Sequence, residues 1–289
     1  LITLGGSLNL FEHPVAEVSS IAKEIGAKLL FDAAHQCGLI AGKIWSNPLD
    51  HGADVVTMST YKSLGGPPGG VIVTNDPEIA KKIDSIAFPG MTANFDAAKS
   101  AALAVTMLDW RDYGEDYVSE MVLMAKTLAS CLEDYDVPVF FGALGHTQSH
   151  QFAVLADKYQ GGQEVSKLLR KSGFLACGIG LPVQDIEGDM SGVRFGTPEL
   201  VRWGMKAKHS NKLADLIAKA LNCEKNNDPK KNCSAEKFCP TCQEIINSNH
   251  IDILEMDAAS KTGIAVSYTH LDAADDTPCV DLGGRRIIK

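Results

Sequence analysis

The sequence has no apolar run approaching the roughly 20 residues of a transmembrane helix, and only 7% of its residues are aromatic. It is also short of positive charge, since 27 Lys and Arg stand against 36 Asp and Glu, a formal net charge of −9. These shortages argue against a membrane span and against a global attraction to nucleic acid or anionic lipid. We therefore expect a soluble, cytoplasmic protein without a membrane partner or a nucleic-acid partner. With 45% hydrophobic residues among 289, it can bury one or two ordinary cores.

The N-terminus lacks a starting Met, a basic segment and a cleavage pattern, which argues against a signal peptide. Residues 1–4 are apolar and have the composition of the interior of a strand. We therefore expect the chain to begin partway through a longer protein.

The cysteine spacing does not indicate a disulfide framework. Of 8 cysteines, four crowd between residues 223 and 242, and the last two of these form a C-x-x-C pair. Four thiolates with such short gaps suit tetrahedral zinc in a reducing compartment, although four loose thiols in a polar linker are the alternative. The predicted metal ligands are Cys223, Cys233, Cys239 and Cys242.

Residues 1–221 alternate strand-like and helix-like segments, which predicts an α/β fold with a mostly parallel sheet followed by a smaller α/β part. Strands are expected at 1–4, 28–31, 54–58, 71–73, 139–141, 152–155 and 175–179. Helices are expected at 14–25, 76–85, 96–109, 114–134, 163–171 and 208–221.

An acid and a lysine follow two of the predicted strands. Asp32 comes after strand 28–31 and Lys62 after strand 54–58, and ligands of open α/β sheets bind at such strand ends. Pyridoxal phosphate needs a lysine for its aldehyde and an acid that keeps its ring nitrogen protonated. The Gly/Pro run at 65–70 would let the backbone pass close to a ring. Taken singly, each feature has an ordinary alternative: a helix cap, a solvated lysine and a loop.

Four motifs, in order over about residues 1–220, together resemble the serine hydroxymethyltransferase family. They are the Asp-Ala-Ala-His run at 32–42, the strand and Ser-Thr-Tyr-Lys at 52–62, Phe-Pro-Gly at 88–90 and Gly-Val-Arg-Phe-Gly-Thr-Pro at 192–198. The resemblance covers the C-terminal part of that family. It implies a fold-type I pyridoxal-phosphate-dependent transferase, truncated at the N-terminus, with a C-terminal α/β small domain.

The resemblance assigns roles to single residues. Lys62 would bind the cofactor, Asp32 would pair with the ring nitrogen, His35 would lie beside the ring, and Arg194 would bind the substrate α-carboxylate through two parallel hydrogen bonds. Three further residues match hydroxyls near the family's cofactor, although a turn serine or a strand-end hydroxyl is the alternative: Ser7, Ser59 and Thr60. A small amino acid as substrate, tetrahydrofolate as a second partner and a homodimer of the full-length enzyme are implied in the same way.

Some positions depart from the family pattern. Tyr61 stands where the family usually has His, Gly65 and Pro68 stand where it usually has Arg, and 91–94 replace a Gln-Gly-Gly-Pro loop. Serine, glycine or an α-methylserine-like amino acid therefore all stay open as substrates. Retro-aldol cleavage between Cα and Cβ is the most natural reaction, and a threonine-aldolase-like, transaldolase-like or aminotransferase enzyme is the alternative within the cofactor class.

The family carries about as many residues before the equivalent of Leu1 as residues 1–220 contain. Those residues supply phosphate contacts, the aromatic group stacked on the ring, much of the folate pocket and most of the dimer surface. We therefore expect the 289-residue chain alone to have little or no activity.

Residues 217–264 resemble a different protein, the zinc module and following strand of the bacterial DNA polymerase III gamma/tau clamp-loader subunit. The likeness includes residues 250–260, but the phosphate loop and the second acidic ATPase motif are absent, and the gap at 234–238 is longer than usual. A zinc-binding fragment of a clamp loader is thus the alternative function, from a different class.

Residues 265–289 resemble an adapter-like artefact, so we expect a chimeric chain joined near 217–221, with a real fusion as the alternative. The expected domains are 1–110, part of the large cofactor-binding domain; 111–221, the small domain; 222–264, the zinc-module-like segment; and 265–289, a disordered or artefactual tail.

Overall fold

Two sheets organise the part of the chain that the computed structural model describes, residues 1–92 and 96–223. The first sheet contains β1 (Ile2–Gly5), β2 (Leu29–Asp32), β3 (Val55–Ser59) and β4 (Gly70–Val73). The second contains β5 (Gln151–Leu155), β6 (Cys177–Ile179) and β7 (Gly192–Gly196). The helices are α1 (Val15–Glu24), α2 (Cys37–Ala41), α3 (Pro77–Ser85), α4 (Ala97–Asp134), α5 (Gly162–Lys171), α6 (Pro198–Arg202) and α7 (Ser210–Cys223).

The first sheet has the order β1-β2-β3-β4, in which the first three strands are parallel and β4 is antiparallel. Leu29, Phe31 and Val56 are buried in its core, where α1 packs against β2. A parallel sheet needs crossover connections between its strands, and α1 and α2 lie in those connections. The predicted α/β organisation is confirmed, and the carboxyl ends of β1, β2 and β3 lie at one edge.

The second sheet is antiparallel, with the order β5-β7-β6. The rings of Phe152 and Phe195 stack with their centroids 5.3 Å apart. Leu132 of α4, Leu169 of α5 and Leu221 of α7 are buried in the same cluster. Helices thus cover the Phe152 side of the sheet with apolar side chains, and this core fixes the position of β7.

Three predicted elements, two helices and one strand, differ from the structure. The helices expected at 96–109 and 114–134 are a single helix, Ala97–Asp134, because Gly114 does not end the helix. It lies where a Cβ would be 2.6 Å from Cε3 of Trp110, so its small size lets that ring pack along the helix. The strand expected at 139–141 is a lone bridge from Val139 to Val154, because Phe141 turns the backbone into a left-handed conformation with φ 59°.

Several predictions fall outside the described residues. Cys233, Cys239 and Cys242 lie there, and Cys223 is the last residue of α7, so the zinc site and the segments 222–264 and 265–289 stay predictions. The boundary between 110 and 111 also stays a prediction, and α4 runs through it.

The described residues contain neither a metal-binding cluster nor a membrane-spanning helix. Residues 1–92 and 96–223 contain no group of three or more His, Cys, Asp and Glu placed to hold a metal ion. Among the described helices, none combines the length and the apolar character that crossing a membrane requires.

The close approach at Gly114 generates a stability prediction. Gly114→Ala should lower the free energy of unfolding by about 1–3 kcal/mol, because the new methyl group must displace the buried ring of Trp110. Gly180→Ala is the matched control, since nothing lies within 4 Å of a Cβ there. Urea unfolding followed by circular dichroism measures both, and a Gly114→Ala variant as stable as Gly180→Ala would contradict the packing described here.

Candidate active site

The carboxyl ends of β1 and β2 approach each other closely. A Cβ on Gly5 would lie 2.1 Å from the carbonyl oxygen of Asp32, so only glycine fits there. Asp32 is the last residue of β2, is partly buried, and accepts a hydrogen bond from the backbone N–H of Ala34 through Oδ1 at 2.9 Å. This contact fixes the carboxylate at the sheet edge where the sequence predicts the cofactor.

Lys62 lies in the turn after β3, the neighbour of β2. Its backbone N–H donates to Ser59 at 3.4 Å, and its carbonyl oxygen accepts from Gly65 N–H at 2.8 Å. Thr60 is buried, donates from its backbone N–H to Gly69 at 3.0 Å, and accepts from Gly66 N–H at 2.7 Å. Lys62 is therefore half-buried on a loop whose backbone is closed by its own hydrogen bonds.

Two side chains from distant elements hold this loop from outside. Nε1 of Trp110, on α4, donates to the carbonyl oxygen of Leu64 at 2.7 Å. Nη1 of Arg202, on α6, donates to the carbonyl oxygen of Gly65 at 2.8 Å. Gly65 has φ 65°, and a Cβ there would lie 2.3 Å from Arg202 Nη1. Glycine at this position thus makes room for the guanidinium of Arg202.

His35 lies close enough to Arg194, Lys62 and Asp32 for all three to act on its charge. Burial, the guanidinium of Arg194 and the ammonium of Lys62 lower the pKa of His35 to about 4, against a smaller opposing effect of Asp32. His35 is therefore neutral at neutral pH. Its carbonyl oxygen accepts from Ser63 Oγ at 2.6 Å, which ties the segment after β2 to the loop of Lys62.

Arg194 projects from β7 and joins the second sheet to the first. Its Nη1 donates to the carbonyl oxygen of Ser7 at 2.7 Å, in the segment after β1. The four charge-bearing or proton-bearing side chains predicted for the site therefore come together: Asp32, His35, Lys62 and Arg194.

The three predicted hydroxyl residues are placed differently. Ser7 is exposed and contacts Arg194 through its backbone oxygen. Ser59 ends β3, paired with Gly70. The hydroxyl of Thr60 donates to the carbonyl oxygen of Pro67 and so closes the loop. Direct cofactor contacts by these hydroxyls stay predictions.

Sequence reasoning missed a second histidine near the site. His150 is 4% exposed, and burial, His35 and Arg194 lower its pKa to about 3. It directly precedes β5, in a segment whose composition carries no motif. Trp110, Arg202 and Ser63 were also missed, because each acts on backbone groups that only the fold brings within reach.

A family model describes the same region of the chain. Residues 1–217 match the model for serine hydroxymethyltransferase. The chain belongs to the serine hydroxymethyltransferase family. The match ends at residue 217, so the likeness of 217–264 to a clamp-loader module stays a prediction.

Curated relatives in this family carry two names. A protein named alpha-methylserine aldolase from Ralstonia sp is 59% identical over 221 residues, which are 76% of this chain and 50% of the relative. One of the same name from Variovorax paradoxus is 54% identical over the same shares. A serine hydroxymethyltransferase from Sulfolobus acidocaldarius is 42% identical over 218 residues, 75% of this chain and 50% of the relative. The chain thus spans about half the length of the curated relatives that it matches.

Membership of the serine hydroxymethyltransferase family implies pyridoxal phosphate, and the residues of this site fit that group. The site holds a carboxylate at the end of β2, a half-buried lysine after β3 and a neutral imidazole on which both of their charges act. An acid for the ring nitrogen and an amine for the aldehyde are the groups that this cofactor needs. Arg194 adds a cation that can pair with a carboxylate.

The depressed pKa of His35 generates a stability prediction. The unfolded chain takes up a proton on this imidazole below about pH 6.5, whereas the folded chain does so only near pH 4. The free energy of unfolding should therefore fall as the pH falls between these values. His150 contributes in the same direction.

His35→Asn should reduce this loss, because one of the groups that protonates on unfolding is removed. Urea unfolding at a series of pH values measures the dependence, and the wild-type chain is the reference for all other titrating groups. Identical pH dependences in the two chains would contradict the neutral state of His35.

Proposed function

We propose that this chain is the C-terminal half of a pyridoxal-phosphate-dependent enzyme that cleaves or forms the Cα–Cβ bond of a small hydroxy amino acid. The placement of Asp32 and Lys62 after neighbouring parallel strands, with Arg194 bonded to the segment after β1, is the observation that carries the proposal. The higher identity to relatives named alpha-methylserine aldolase than to those named serine hydroxymethyltransferase favours α-methylserine as the substrate. Serine or glycine, with hydroxymethyl transfer to tetrahydrofolate in a homodimer, is the alternative within the same chemistry.

When bound, the cofactor supplies an electron sink for the bond broken at Cα. The protein's part is to hold charges in place. Asp32, fixed by the N–H of Ala34, offers a carboxylate that keeps a ring nitrogen protonated. Lys62 is the amine for the aldehyde group, and its loop follows β3, the strand that pairs with the strand of Asp32.

Arg194 is suited to select an amino acid. A guanidinium has five N–H donors, and Nη1 is used by the carbonyl oxygen of Ser7. The other donors can form the paired bonds to a carboxylate that a lysine ammonium does not reproduce. Because His35 is neutral, it adds no second positive charge there and can donate one hydrogen bond and accept another.

The preference for retro-aldol cleavage over amino transfer rests on the relatives' names. The electron sink is shared by retro-aldol cleavage and amino transfer, so the charged residues alone favour neither. α-Methylserine carries no hydrogen on Cα, so amino transfer by loss of that proton is not open to it. Formaldehyde release from α-methylserine by the full-length enzyme would therefore report retro-aldol cleavage, and transfer of the amino group of serine to a keto acid would favour an aminotransferase.

Replacing the lysine tests the cofactor site. Lys62→Ala should abolish the visible absorption band that the chain acquires on incubation with pyridoxal phosphate, because no amine is left in the loop to bind the aldehyde. Lys171→Ala, an exposed lysine at the end of α5, is the matched control and should keep the band. Equal spectra for the two variants would place the cofactor on another lysine and refute the assignment.

Replacing the arginine tests the substrate site. Arg194→Lys should weaken binding of serine and of α-methylserine to the cofactor-loaded chain by roughly 10- to 100-fold, because a point charge replaces a two-point contact. The change of the visible spectrum with amino-acid concentration gives the dissociation constants. Arg170→Lys, exposed on α5, is the control, and unchanged affinity in Arg194→Lys would remove Arg194 from the site.

A further inference from the structure

Four of the five polar residues at 147–151, before and at the start of β5, are buried, and Gln148 is exposed. Thr147, Ser149, His150 and Gln151 are all 4% exposed or less. The backbone of Gln148 is bonded on both sides: its N–H donates to Leu10 at 2.7 Å, and its carbonyl oxygen accepts from Trp45 Nε1 at 3.0 Å. These two bonds fix the backbone of the segment.

Unpartnered polar atoms concentrate in this segment. Ser149 Oγ, His150 Nδ1 and Gln151 Nε2 are buried and have no hydrogen-bond partner among the described residues, where Ser210 Oγ is the only other such side-chain atom. Buried polar groups in native proteins are nearly always hydrogen-bonded to protein, water or a ligand. Among these atoms Nδ1 of His150 belongs to the residue whose pKa is lowered by burial, by His35 and by the guanidinium of Arg194, and it needs a polar partner that the described residues do not provide.

The β5–β7 ladder connects His150 to Arg194. Arg194 pairs with Ala153, and Gln151 pairs with Gly196. One step further, the backbone N–H of Thr197 donates to the carbonyl oxygen of His150 at 3.0 Å. The position of His150 is thus set by the same strand that carries Arg194. His35 and Arg194 are the two side chains whose charges act on it.

We propose that Nδ1 of His150 is a hydrogen-bonding position for the carboxylate of the amino acid that Arg194 binds, reached directly or through one ordered water. The inference rests on the proposed function for the class of ligand and adds a residue that none of the sequence motifs contains. His150 is a positioning residue: it fixes where the carboxylate lies relative to the guanidinium.

The chemistry of the two groups is complementary. A neutral imidazole can carry its proton on Nδ1 and donate to a carboxylate oxygen without adding a second cation beside Arg194. A protonated imidazole there would repel the guanidinium. A buried, neutral donor next to one fixed positive charge therefore orients a carboxylate and leaves the main attraction to Arg194.

Nuclear magnetic resonance of ¹⁵N-histidine tests the contact in the cofactor-free chain. The His150 signals are assigned by their loss in His150→Asn. Addition of serine should move the Nδ1 resonance toward the protonated tautomer, and the same addition to Arg194→Lys should leave it in place. An Nδ1 resonance that stays in place in both the cofactor-free and the cofactor-loaded wild-type chain would overturn the proposal.

Affinity measured by the visible spectrum of the cofactor-loaded chain supplies the second readout. His150→Leu should raise the dissociation constant of serine by about 10-fold or more, the cost of a lost hydrogen bond to a charged group. His150→Asn, whose amide can donate from nearly the same place, should restore most of the affinity. His13→Leu and His13→Asn are matched controls, since His13 lies in a separate cleft beside Trp45 and His51.

The outcomes separate this inference from the proposed function. A chain that acquires no visible band, but whose Nδ1 resonance responds to serine, would refute the cofactor assignment and support the role of His150. A normal visible band together with wild-type affinity for serine in His150→Leu would support the cofactor assignment and refute the role of His150. Equal loss of affinity in His150→Leu and His150→Asn, at unchanged thermal stability, would indicate a role in shape alone and overturn the hydrogen bond.

Discussion

The site depends on the parallel pairing of β2 with β3. The register places Leu30 opposite Val55 and Asp32 opposite Thr57, so the chain leaves both strands at the same edge of the sheet. Asp32 ends one strand, and Lys62 follows the other after two turn residues. A shift of one residue would turn the alternate side chains of β2 to the other face, removing Phe31 from the core and displacing the carboxylate. Burial of Leu29 and Phe31 therefore also fixes the position of the Asp32 carboxylate.

Helix α4 extends this constraint to the second sheet. Along one helix, Trp110 holds the loop of Lys62 through the carbonyl oxygen of Leu64. The hydroxyl of Tyr117 donates to the carbonyl oxygen of Pro198 at 2.8 Å, and the carbonyl oxygen of Met121 accepts from the hydroxyl of Thr197 at 2.7 Å. A continuous helix thus contacts both the lysine loop and the turn after β7. Packing along α4 therefore sets the distance from Lys62 to Arg194. This requires the helix to continue through Gly114.

The sequence predicted the features that depend on neighbouring residues and missed those that depend on residues far apart along the chain. The strands that contain Asp32 and precede Lys62 were predicted within one or two residues, because their apolar runs and following polar residues are local signals. The continuity of α4 was missed because a glycine that ends an exposed helix and a glycine that admits a tryptophan ring look alike in sequence. His150 and Arg202 were missed for a related reason. His150 is 115 residues along the chain from His35, and Arg202 is 137 residues from Gly65, whose carbonyl oxygen it contacts.

Burial and charge together explain how the site can hold His35 and His150 near Lys62 and Arg194. A cluster of four cations in a partly buried crevice would repel itself and would destabilise the fold. Burial, Arg194 and Lys62 instead lower the pKa of His35 to about 4, and burial, His35 and Arg194 lower the pKa of His150 to about 3. The imidazoles can then act as hydrogen-bonding groups without charge, while Arg194 carries the positive charge that suits an anionic ligand. Burial is the largest cause for both histidines, and Arg194 adds to it, so the cation that suits a carboxylate also helps to keep both imidazoles neutral.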